Sequence, residues 1–70
     1  HADRLAELKL SAKVAAQRVR ETHTPFRFNP MAAADRRIIH LALHGAAGVR
    51  TASEGVGDQR HIVVLPANAR

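Results

Sequence analysis

The sequence predicts an α+β fold: a two-layer sandwich with two helices on one face of a three-stranded, antiparallel-type sheet. Three observations carry that expectation. An apolar stripe at helical spacing opens the chain, and a second helical pattern lies mid-chain. Short β-type runs separate and follow the two, giving the order α-β-α-β-β. A strand–helix–strand crossover whose last strand returns between the first two gives the strand order 1-3-2.

The first helix reads from Ala2 to Thr22, where Leu5, Leu8, Ala12, Ala15, Ala16 and Val19 recur at the 3.6-residue period. Arg4, Lys9, Lys13, Arg18 and Arg20 lie mostly off that stripe and read as a solvated face. Leu10 and Val14 fall on the far side, as they would if a neighbouring domain covered them. Pro25 then ends helical geometry, Phe26 and Phe28 alternate with Arg27 as a short strand, and Asn29-Pro30 closes the segment. The second helix reads from Met31 to His44, with Gly45 as its C-terminal cap. Val49 to Gly55 is a strand pattern, and "GVGDQ" has the length of a hairpin loop. Arg60 to Pro66, "RHIVVLP", is apolar on both faces, as a central strand requires. Residues 67–70 read as a flexible tail.

Seventy residues make one small domain, residues 1–70, near the lower size limit for a self-sufficient core. The chain begins without Met and reads as the C-terminal fragment of a longer protein. It has no Cys, so disulfides and thiolate zinc are excluded, and the composition fits a reducing, cytoplasmic setting. No apolar run approaches the roughly 18 residues of a membrane span, so no membrane partner is expected. Eleven Lys and Arg against six Asp and Glu give a net charge of +5. That balance is the electrostatic footprint of a nucleic-acid binder, although GC-rich coding or solubility alone can produce it.

The most informative stretch is "ADRRIIHLALHG", Ala34 to Gly45. At about 100° per residue, Arg36, Arg37, His40 and His44 share one arc of about 100°. Ile38, Leu41, Ala42 and Met31 lie opposite and read as the core side. Four readings compete for the basic arc. A plain solvated surface usually mixes signs, and this arc holds no acid. His40 and His44 are spaced for two imidazoles on one metal, yet no third ligand follows and two Arg neighbours repel a cation. Acid–base catalysis by His40 needs an acid or nucleophile, and Asp35 points away from the arc, so no enzyme and no cofactor are expected. Phosphate binding fits best, because guanidinium forks and an imidazole N–H grip phosphate oxygens. Arg50 and Arg60, on strands expected near this helix, extend the patch. Glu54 reads as a turn residue or a partner that holds Arg36 or Arg60.

These residues resemble a known family. Arg36-x-x-x-His40 is similar to the signature of the R-3-H domain, and the likeness extends to the bacterial version that ends the Jag (SpoIIIJ-associated) RNA-binding proteins. Pro30-Met31, "DRRIIHLAL", Ser53-Glu54-Gly55 and "RHIVV" from Arg60 resemble that type in order and spacing, as do Ala15, Ala16, Val19 and Thr22 of the first helix. The resemblance implies a single-stranded RNA- or DNA-binding module, with Arg36 and His40 as the signature pair and Arg37 adjoining them. It also implies an adjacent KH-type domain in the parent protein. The chain departs from the family at Ala32, Ala33 and Ala34, where a polar cap, a Pro and an aromatic are usual; a lost cap costs about 1 kcal/mol. It departs again at Val56 and Gly57, where acids are common. The alternative to nucleic-acid binding is a docking module for a protein or a neighbouring domain, which Leu10 and Val14 favour.

Overall fold

A computed structural model describes residues 4–67. The elements are α1 (Arg4–Thr22), β1 (Phe26–Arg27), α2 (Ala33–Leu43), β2 (Val49–Glu54), a 3₁₀ turn (Gly57–Gln59) and β3 (His61–Pro66). The sheet is antiparallel with order β1-β3-β2, so the all-apolar "IVVL" segment lies in the middle as expected. Ala2 and Asp3 of the expected helix and residues 68–70 of the expected tail lie outside the described residues; Ala67 is tied back by its N–H to the Gly48 carbonyl at 3.0 Å.

One face of the sheet carries both helices. Leu8, Ala12, Ala15, Ala16 and Val19 of α1 are buried against Ile39 and Leu43 of α2 and against Val49, Ile62 and Val64 of the sheet. Small residues on α1 let it lie close to its neighbours, while burial of the aliphatics supplies the main driving force. Leu5, placed on the stripe by its spacing, is 44% exposed and lies beside Ile38, Leu41 and Ala42 of α2 in an open groove. Leu10 and Val14 point outward as the period requires. Val63 is fully buried on the opposite sheet face. There the register sets Arg27 beside it, and an Arg27–Glu54 ion pair at 3.7 Å spans β3.

Helix α2 differs from the sequence expectation in two ways. It starts at Ala33 instead of Met31, because the segment before it is used otherwise. The Met31 N–H donates to the Arg60 carbonyl at 3.4 Å, and Ala32 is extended with ψ 156° and offers no side-chain cap. The core side is also rotated. Ile39 and Leu43 are buried, Ile38 and Ala42 only half-buried, and Leu41 is 62% exposed. With Ala, Ile and Leu spread around most of the helix, tertiary packing decides which of them face inward. The basic arc therefore borders the core directly and leans toward β2. At the other end, Gly45 adopts φ +82° just past His44, as the expected cap. His23 closes α1 with φ 59° and an N–H bond to the Val19 carbonyl at 2.8 Å.

Candidate nucleic-acid interface

Between α2 and β2 lies an open groove of about 370 Å³. Arg36, Arg37 and His40 line it from the helix, Thr51, Ala52 and Ser53 from the strand, and Arg60 from just before β3, with Ala33 and Ile62 completing the lining. No acid lines it. Asp35, one residue from Arg36, is engaged elsewhere: it accepts from Arg4 Nη2 at 2.9 Å, and this bond and its charge hold the Arg4 guanidinium above its ordinary pKa. A larger, apolar groove of about 500 Å³ runs between α1 and α2 over Leu5, Ile38, Leu41 and Ala42, with Lys9 and Lys13 also lining it.

Three of the basic side chains are oriented by hydrogen bonds within the protein. Arg36 is half-buried, and its Nη1 donates to the Met31 carbonyl at 2.7 Å, which holds the guanidinium plane while other N–H groups remain to grip a ligand. His40 Nδ1 lies 2.6 Å from Thr51 Oγ1. Engaging Nδ1 with the hydroxyl leaves Nε2 as the ring's other hydrogen-bonding atom. Arg37 is exposed and joins the same groove. Arg60 Nη1 donates to the Gly55 carbonyl at 3.3 Å, so the turn after β2 sets its position.

The other expected members are placed differently. His44 is exposed at the C-terminal end of α2, its ring centroid 6.4 Å from that of His40, and it does not line the groove. Arg50 is off the groove altogether. Its register partner is Leu65, so its side chain shares the sheet face of Glu54, opposite the helices, whereas Val49, Thr51 and Ser53 face α2. Glu54 holds neither Arg36 nor Arg60; it pairs with Arg27 across the outer face. Among the described residues, no three His, Asp or Glu side chains form a group that could hold a metal ion, and no helix is long and apolar enough to cross a membrane.

Thr51 is a groove residue the sequence reading missed, and it touches His40. Its signal was available: it alternates with Val49 and Ser53, and the apolar Val49 marks the inward side of β2.

A family model described as the R-3-H domain matches residues 6–66 of the chain. No curated protein matches it.

Proposed function

The chain belongs to the R-3-H domain family, a nucleic-acid-binding module, and from that premise we propose that it binds single strands through phosphate contacts in the α2–β2 groove. One observation carries the reading: Arg36, Arg37, His40 and Arg60 converge on one open groove that no acid lines. Arg36 and His40 are held by Met31 and Thr51, so less ordering is lost when an anion binds. The open, shallow shape suits a flexible backbone that bends to present its phosphates. Nothing in the groove forms a nucleophile–base–orienter set, and we read the domain as a binding module without catalysis of its own. The resemblance to the Jag type extends the proposal to RNA in the bacterial cytoplasm, beside a KH-type domain.

The test is a titration of labelled single-stranded RNA in parallel with the same sequence as a duplex. Tighter binding of the single strand, weakened in a folded Arg36→Ala variant, supports the proposal. Equal binding of both forms, or an Arg36→Ala variant that binds like wild type, overturns it.

A second reading has its own observation. Leu10 and Val14 are 63% and 55% exposed, and Val14 lies in a cleft with the half-buried Phe26 and Phe28. That surface fits docking of a protein or a neighbouring domain. If Val14→Asp abolishes RNA binding in a folded domain while Arg36→Ala leaves it intact, docking is the better account.

A further inference from the structure

The two helices leave a second groove, on the flank of α2 opposite Arg36 and His40. Leu5, Lys9 and Lys13 form its α1 wall, and Ile38, Leu41 and Ala42 its α2 wall, around about 500 Å³ of open space. Spacing makes each wall continuous. Leu5, Lys9 and Lys13 follow at i, i+4 and i+8, and Ile38, Leu41 and Ala42 at i, i+3 and i+4. The helices run side by side in the same sense. Arg4 Nη2 reaches Asp35 Oδ2 across their first turns at 2.9 Å, and Arg20 Nη1 reaches the Ala47 carbonyl beyond the end of α2 at 3.1 Å. From Leu5 to Lys13 the α1 wall is about 12 Å long, just over two helical turns.

The centre of this groove is apolar and its margins are cationic. Leu5 and Leu41 are among the large apolar side chains that the fold leaves exposed. Lys9 and Lys13 edge them on α1, and neither is ion-paired among the described residues. On α2, Arg37 and His44 lie one turn to either side of Leu41, and both are exposed. No acid lines the groove, and the carboxylate of Asp35, three residues before Ile38, is engaged by Arg4.

We propose that this groove docks an amphipathic helix of a partner protein, one whose apolar ridge is flanked by Asp and Glu. Two turns of such a helix, with apolar residues at i, i+3 or i+4 and i+7, lie between α1 and α2 and cover Leu5, Ile38 and Leu41. Its acids then face Lys9 and Lys13 on one margin and Arg37 and His44 on the other. The charge pattern favours this occupant. A second copy of the chain, at net charge +5, would set cations against cations. A nucleic-acid backbone would meet the lysines but leave the leucines unsatisfied. A membrane surface takes up protruding apolar side chains, whereas Ile38 and Ala42 are half-buried in a furrow. Leu10 and Val14 do not line this groove, and the proposal does not depend on phosphate binding at Arg36.

The test titrates the isotopically labelled full chain with three 14-residue peptides, each held helical by a staple on its outer face. The first carries a Leu ridge flanked by Glu, the second has Lys for every Glu, and the third has Ser for every Leu. The first is expected to shift the methyl signals of Leu5, Ile38 and Leu41, and to bind about tenfold tighter than either of the others. The double variant Lys9→Glu, Lys13→Glu should bind the first peptide about tenfold more weakly and the second more tightly than wild type does. That gain for the second peptide separates charge reversal from misfolding. Leu41→Ala, which keeps a strong helix former at an exposed site, should weaken the first peptide about fivefold. No methyl shift with the first peptide overturns the proposal, as does equal affinity of wild type for the acidic and basic peptides. Methyl shifts caused by anionic phospholipid vesicles, or by concentrating the chain alone, with none from the first peptide, assign the face to a membrane or to a second copy and likewise overturn it.

Discussion

Replacing Gly55 with alanine tests how the turn after β2 delivers Arg60 to the groove. Gly55 has φ +89°, and a Cβ there would stand 2.5 Å from the Gln59 carbonyl oxygen, 3.0 Å from its carbon and 3.3 Å from Arg60 Cα. All three are backbone atoms. They are held by the 3₁₀ turn, through Gln59 N–H to Val56 O at 3.0 Å and Arg60 N–H to Gly57 O at 3.2 Å. Relief therefore requires shifting the turn itself. Backbone strain of about 1–3 kcal/mol and overpacking of about 1–3 kcal/mol together put the loss near 3 kcal/mol. In a domain this small, that lowers the thermal midpoint by about 12–24 °C. Gly57→Ala is the matched control. Its φ is +57° and its Cβ meets nothing within 4 Å, so the expected loss is about 1 kcal/mol and about 4–8 °C. Thermal unfolding followed by circular dichroism reads both. If the two midpoints fall equally, the close approach of Gly55 to Gln59 does not govern the turn and the reasoning fails.

Two further predictions concern the groove. Thr51→Val keeps the side-chain shape but removes the hydroxyl 2.6 Å from His40 Nδ1; RNA affinity should fall about two- to tenfold, with a changed nitrogen shift pattern for the His40 ring in NMR. An unchanged ring would show that Thr51 does not orient it. Arg60→Ala should weaken RNA binding, whereas Arg50→Ala, on the opposite sheet face, should change it less than about twofold by the same titration; equal losses would contradict the separation of the two faces.

Much of the architecture is legible in the residues. The α1 stripe at Leu8, Ala12, Ala15, Ala16 and Val19 is regular, and "IVVL" has no polar position, which marks the strand paired on both edges. The basic arc is legible too, because Arg36, Arg37, His40 and His44 obey one helical period. What escapes the sequence depends on phase between elements. Which apolar residues of α2 turn inward follows from how it seats on β2 and α1, and the helical period alone points to Leu41 where the fold buries Ile39. The face of the sheet that carries Arg50 depends on a register set by β3, and a shift of one residue would have moved it to the helix side. The same parity brings Thr51 beneath His40 and sends Glu54 to Arg27. None of these partners is close in sequence, so no local pattern announces them.

The central claim is that Arg36 and its neighbours hold phosphates. Its most direct test is the salt dependence of single-stranded RNA binding by wild type, Arg36→Ala and His40→Ala, each first shown to be folded. Phosphate binding predicts that affinity falls linearly with salt on a log–log plot, and that losing Arg36 makes the slope shallower by about one unit. His40→Ala should weaken binding with a smaller change in slope. A slope that stays the same without Arg36 would contradict the account.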